Sequence, residues 1–172
     1  MSEAKVQLSR EQALVLLTDG ERGVLEWNEH YSVGHTTRDL HGVELHGAQL
    51  AGVQLGDTDL SEARLLESNL TGASLSRAEL TDADLREANL SGAELSEAVL
   101  IQANLNRCDL SEARLTKSKL SYASLIMTNL KGANLDEASV NRAHLHGADL
   151  SQASVAIKEE LERVREQVEN VE

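Results

Sequence analysis

The sequence predicts a solenoid, a stack of small coils around a narrow interior, and three observations carry that expectation. From Leu40 to Val155 every fifth residue is Leu, apart from Val140 and Val155 themselves. A helix repeats its apolar residues every 3.6 positions and a strand every 2.0, so a strict period of five belongs to neither. Two residues before each of these 24 centres stands a side chain that is nearly always small: Ala in 16, otherwise Ser68, Ser118, Thr58, Thr128, Cys108, Val43, Val53 and Arg38. The 172 residues include one Trp, two Tyr and no Phe, so the interior must be built from Leu and Ala rather than aromatic rings.

Two positions in five therefore point inward, one large and one small, and three point outward. That alternation lets successive layers interlock at close-packed density. Arg38 would not fit inside and marks the entrance of the array. Glycines 42, 47, 52, 72, 92, 132 and 147 each fall two residues after a centre, where a turn benefits from small size and a permissive φ. The chain has no Pro, which suits a ladder that needs every backbone donor.

The pattern A-[DN]-L-x-x, as in Ala88-Asn89-Leu90, Ala103-Asn104-Leu105, Ala133-Asn134-Leu135 and Ala148-Asp149-Leu150, resembles the pentapeptide-repeat family. The resemblance covers residues 38–157. It implies an all-β solenoid: a right-handed quadrilateral parallel β-helix with four pentapeptides to a coil, hence about six coils, each Leu stacked on the Leu 20 residues away. Burying a Leu contributes about 1.5–3 kcal/mol, which compensates for the modest β-propensity of Ala, Asn and Asp.

A β-helix exposes its apolar bore and unpaired edges at both ends. Residues 1–37 are expected to form an N-terminal helical cap. Ser9 to Asp19 reads as a helix capped by Ser9, with Gln12 three residues on and Gly20 at its end, and a second short helix runs from Glu21 to about Glu29. Leu17, Val24, Leu25 and Trp27 are its candidate capping side chains. Residues 158–172 continue a charged C-terminal helix with a heptad seam of Ile157, Leu161, Val164, Val168 and Val171. Such a seam needs a partner surface, either the last coil of its own chain or a second copy in a homodimer.

With 29 acidic and 16 basic residues the net charge is −13, which disfavours direct nucleic-acid binding and anionic membranes and suits a protein partner. No secretory signal or membrane span is recognisable, and Cys108 has no second cysteine to pair with, so a reducing, cytoplasmic setting is expected. His30, His35, His41, His46, His144 and His146 read as surface residues rather than metal ligands. Cys108, at an inward position, reads as inert. No nucleophile is held against a base, and a bore filled with Leu leaves no substrate pocket, so neither catalysis nor a cofactor is expected.

Function is thus expected on the outer surface. Unwrapping the array in steps of 20 places Asp39, Asp59, Glu62, Glu79 and Asp82 on one side, followed by the apolar Val99, Ile101 and Tyr122, with Ile126 and Met127 around the corner. These five apolar residues are the candidate partner patch. The first functional expectation is a non-catalytic scaffold that presents a rigid surface to a protein partner. The alternative, which the family resemblance implies, is a DNA mimic that binds DNA gyrase and protects it from inhibitors. It is less favoured, because residues 38–157 hold 17 acidic but also 10 basic residues and run without an inserted loop.

Overall fold

The computed structural model describes residues 7–34 and 36–154. Each group of five residues is held to the next coil by the same three backbone hydrogen bonds. The amide of a centre reaches forward, as from Leu40 N to Asp59 O at 2.8 Å, and so does the amide two residues later, from Gly42 N to Ser61 O at 2.7 Å. The residue before a centre reaches back, from Asp59 N to Arg38 O at 2.7 Å. Parallel bridges consequently join residues 20 apart, from Asp39 with Asp59 to Asn129 with Asp149.

Between centres the chain turns. Val43 N donates to Leu40 O at 3.1 Å and Ala63 N to Leu60 O at 3.0 Å, and the bond recurs every five residues. Four such corners in 20 residues make the coil square. The third residue of each turn has positive φ, as a type II turn requires. The seven glycines picked out above all adopt it, but so do 16 other residues, among them Glu62 (57°), Gln102 (59°) and Tyr122 (62°). A left-handed conformation costs a non-glycine residue about 1–2 kcal/mol, so the ladder and the leucine stack hold these corners against their own preference.

These corners also limit how much strand can form. Each side contributes a single isolated bridge, and no extended strand forms among the described residues. A turn at every fifth residue leaves too little extended chain between corners for a regular strand. Inside, Leu60, Leu80, Leu100 and Leu120 have no exposed surface, and the small positions from Val53 to Ala133 are buried as well. Polar residues there bond the backbone: Ser68 Oγ donates to Leu65 O and Thr128 Oγ1 to Leu105 O, both at 2.7 Å. Ser118 Oγ, also buried, has no partner among the described residues.

Before the coils lie α1 (Arg10–Thr18) and α2 (Gly20–Ser32). Ser9 opens α1 through a reciprocal capping box: Ser9 Oγ accepts from Gln12 N at 3.2 Å, and Gln12 Oε1 accepts from Ser9 N at 2.9 Å. Gly20 does more than end α1. With φ of 65° it makes the joint in one residue and starts α2, which runs on to Ser32 rather than stopping near Glu29. The helices cross closely at Gly23, where a Cβ would sit 1.9 Å from Leu16 O.

Helix α2 lies along residues 52–56, where no earlier coil exists to pair with them. Its side chains replace the missing ladder group by group. Asn28 Oδ1 accepts from Gln54 N at 2.8 Å, Trp27 Nε1 donates to Gln54 O at 2.6 Å, and Tyr31 OH donates to Gly56 O at 2.9 Å. Leu17, Val24 and Trp27 are buried in the same core as the leucine stack. Leu25 is not: it is 68% exposed, which corrects its assignment to the capping face. The side of α2 that carries Trp27 and Tyr31 meets the coil, and Leu25 falls on the opposite side. The C-terminal seam of Ile157, Leu161, Val164, Val168 and Val171 lies outside the described residues.

Candidate functional site

The outer surface has four sides, each named here by its inward leucines. The first runs through Leu40, Leu60, Leu80, Leu100, Leu120 and Val140, and the second from Leu45 to Leu145. The third runs from Leu50 to Leu150 and the fourth from Leu55 to Leu135.

A local rule governs ten of the 24 units of this surface. The ladder uses every amide except that of the residue after a centre, and an Asp or Asn before the centre supplies the missing acceptor. Every Asp or Asn at that place does so: Asn69 for Thr71 (3.2 Å), Asn89 for Ser91 (3.0 Å), Asp109 for Ser111 (2.9 Å) and Asp149 for Ser151 (2.9 Å) are four of ten. These are Asx turns, and they explain the second letter of A-[DN]-L. At Asp59 burial works to raise the carboxyl pKa, but hydrogen bonds from Ser61 Oγ and Ser61 N outweigh it, and the pKa falls below the usual range.

Most cations on the other sides are paired, several with a carboxylate one coil away. Arg77 holds Asp57 with two bonds of 2.7 and 2.8 Å, Arg64 meets Glu44 at 3.0 Å, and Arg114 meets Glu94 at 3.2 Å. The Arg77 guanidinium holds the Asp57 carboxyl below its ordinary pKa, and Arg86 does the same to Asp84. On the second side Glu44, His46, Arg64, Leu66, Asp84 and Arg86 line a surface groove of about 450 Å³. Sequence reasoning did not anticipate this groove, which arises where long side chains flank a flat strip of backbone. Its arginines are already neutralised by Glu44 and Asp84.

The first side makes this bond at Asp39, Asp59 and Glu79 and then turns apolar. Val99 stands where an acceptor belongs and offers none to the amide of Ile101. Val99 and Ile101 are half-buried, and Tyr122, at the edge one coil further, is 50% exposed. Toward the helices this side carries Asp59, Glu62, Glu79 and Asp82, none of which makes an ion pair among the described residues, and Asp39, which reaches only Arg10 at 4.0 Å. Beyond Ile101 it carries Lys119 and Arg142, also without an ion pair among the described residues, and the Arg142 guanidinium lies 5.6 Å from the centre of the Tyr122 ring.

The five residues of the expected patch lie on two sides, as the period of 20 predicts. Val99, Ile101 and Tyr122 share the first side and its edge, whereas Ile126 and Met127 stand at the next corner, across Ser124. A left-handed residue at each corner turns the chain onto a new side, so residues five apart diverge. Ile126 is half-buried, its amide taken by Asn106 Oδ1 at 2.9 Å, and Met127 is 57% exposed beside Gly147.

Of the histidines, His41 Nδ1 lies 2.9 Å from Ser61 Oγ. No cluster of three or more metal-ligating side chains forms among the described residues. Cys108 is buried, and desolvation pushes its thiol far above the ordinary range. No helix of the described residues is long and apolar enough to cross a membrane.

Comparison with known proteins places this architecture. The family model for pentapeptide repeats matches in 8 copies, over residues 39–77, 54–92, 78–116, 93–132 and 113–152. Among solved structures, a pentapeptide repeat protein from the Arabidopsis thaliana thylakoid lumen is 33% identical over 50% of this chain and 60% of its own, with a TM-score of 0.49. The present chain thus spans less than two thirds of that protein. The pentapeptide repeat protein Rfr23 from the cyanobacterium Cyanothece 51142 is 24% identical over 75% of this chain and 97% of its own, with a TM-score of 0.40. QnrB1, a plasmid-mediated fluoroquinolone resistance protein, is 22% identical over 68% of each chain, with a TM-score of 0.44. No curated protein matches. The repeats matched over residues 39–152 span well over half the sequence, and the chain belongs to the pentapeptide repeat family, whose members fold as right-handed quadrilateral β-helices.

Proposed function

We propose that this protein is a non-catalytic docking module: a β-helix of six coils over residues 38–157, closed at its N-terminal end by α1 and α2, that presents its first side to a protein partner. The observation that carries the reading is the break at Val99 and Ile101. These two residues stand where ten other units make an Asx turn and place apolar surface, with Tyr122, between Asp59, Glu62, Glu79 and Asp82 on one hand and Lys119 and Arg142 on the other, which find no ion pair among the described residues. Apolar surface rimmed by unpaired charge is the composition of a recognition surface. We assign the protein to the cytoplasm, where the single buried Cys108 meets no oxidising demand.

A photo-crosslinking residue placed at Tyr122 and, as a control, at Ser91 on the third side tests this in cells that express the protein. Crosslinks to a defined protein from position 122, absent from position 91 and lost on changing Val99 and Ile101 to Ser, are the expected result. Equal labelling from both positions overturns the reading.

The gyrase-protecting DNA mimic is supported by the acidic run from Asp39 to Asp82. It is opposed by the paired arginines of the second and fourth sides, which interrupt any continuous acidic stripe. A supercoiling assay with gyrase and a fluoroquinolone separates the two: absence of protection at micromolar protein removes the mimic.

A further inference from the structure

The first side is complementary to itself, and we propose that the partner it accepts is a second copy of this chain, lying antiparallel across a twofold axis at the coil of Val99 and Ile101. This rests on the docking reading above and names its occupant.

The argument is one of register. Coils stack at about 4.8 Å, so residues 20 apart form columns along the side. A twofold axis running across the side at Leu100 lays each column on its own copy, reversed about that coil. Val99 then meets Val99 and Ile101 meets Ile101 of the second molecule, which joins the half-buried apolar residues into one strip. One coil out, Glu79 faces Lys119, Asp82 faces Tyr122, and Thr81 faces Ser121. Two coils out, Glu62 faces Arg142, Asp59 faces Ser139, and Ser61 faces Asn141. In each row a carboxylate or hydroxyl meets a cation, hydroxyl or amide, and no two like charges meet.

The parallel arrangement, with its twofold along the rod, leaves the two sets of charges apart: it sets Asp59 against Ser61, Glu79 against Thr81 and Lys119 against Ser121, so no carboxylate meets a cation. Lys119 and Arg142 make no ion pair among the described residues, and neither do Glu62, Glu79 and Asp82. The pairing would therefore break no intramolecular ion pair among the described residues. An isologous contact of this kind closes on itself and does not propagate into fibres. Five overlapping coils, each side about 10 Å across, offer an area well below that of a standard stable interface, so the dimer is weak and forms at tens to hundreds of micromolar protein, by about the usual relation of size to permanence.

Sedimentation equilibrium of the full chain across that range, with two charge variants, tests the proposal. The first variant is Arg142→Glu, and the second is Glu62→Lys, the two residues that face each other in this register. Both positions are exposed, and a lysine and a glutamate already occupy left-handed corners at Lys117 and Glu137, so the variants are expected to keep the fold, with circular dichroism and unfolding midpoint as the check. Each variant alone is expected to weaken the dimer about tenfold or more, because like charges then face each other. An equimolar mixture is expected to recover association, since charges on one chain are then opposite to those it meets on the other. A parent chain that is monomeric throughout, or a dimer indifferent to both variants and to their mixing, overturns the proposal. If crosslinking from position 122 still identifies a different protein in that case, the docking reading stands and only the identity of the occupant fails.

Discussion

The first and third sides are built on the same inner wall and differ only in what they turn outward. On the third side Asn69, Asn89, Asp109, Asn129 and Asp149 follow one another up the column, each accepting the amide two residues on. Glycines 52, 72, 92 and 132 make four of its corners. On the first side the corresponding column reads Asp39, Asp59, Glu79, Val99, Lys119 and Ser139, and glycine makes only the first of its corners, at Gly42. The third side spends its outward residues on the fold, and the first withholds some of them. A solenoid separates the two demands because the ladder and the leucine stack suffice to hold a coil even where a side gives up its local hydrogen bonds.

If the inner wall is common to both sides, Leu90→Ala beneath the third and Leu100→Ala beneath the first should destabilise equally, by about 2–5 kcal/mol each as for other buried Leu truncations. Urea unfolding measures both. A difference as large as the effect itself would mean that the outer residues, not the stack, hold one of the two sides. Both leucines have no exposed surface, so neither has a lead in burial to excuse an inequality.

The outer code gives the next effect in size, and here the two sides should move in opposite directions. Asn89→Ala removes the acceptor for Ser91 N and Ser91 Oγ and is expected to cost about 1 kcal/mol. Val99→Asn supplies an acceptor where Ile101 N has none and is expected to stabilise by about 0.5–1 kcal/mol while abolishing recognition at the first side. A stabilised variant that keeps its partner would show that Val99 is an idle departure from the repeat. Stability bought at the cost of binding is the pattern expected where a surface is kept for function.

How much of this was legible in the sequence follows the same division. The stack was legible because an inward residue has the same neighbour every 20 positions and admits few side chains, so Leu and Ala recur. The polar letters were harder. That Asp or Asn precedes ten of the 24 centres is visible, but its reason, an amide left over by the ladder, exists only once the coil is closed. The helices show the same limit. Ser9 with Gln12 announces a capping box in sequence, whereas nothing in the spacing of Val24, Leu25 and Trp27 says that Asn28, Trp27 and Tyr31 face residues 52–56 and that Leu25 faces away. The division of the patch between two sides was legible, because a period of five with four units to a coil sets Ile126 and Met127 one corner beyond Tyr122.

The smallest effect separates the sides by their response to acid. Asp59 on the first side and Asp149 on the third both have carboxyl pKa values below the ordinary range. For Asp149 the cause is hydrogen bonding from Ser151; for Asp59, hydrogen bonds from Ser61 outweigh burial. A carboxyl whose folded pKa is depressed contributes stability that is present above its unfolded value, near 3.9, and lost as pH falls through the folded value. Unfolding followed from pH 6 down to pH 2 should therefore show stability declining below about pH 4. Asp149→Asn should reduce that slope while leaving neutral-pH stability almost unchanged, because Asn89 and Asn129 already fill the same place in the same column. Asp59→Asn should reduce the slope similarly, yet it also removes one of the negative charges of the first side, so only this variant should weaken association at neutral pH. An equal loss of association in both variants would show that acidity anywhere on the rod, and not its placement on the first side, governs recognition.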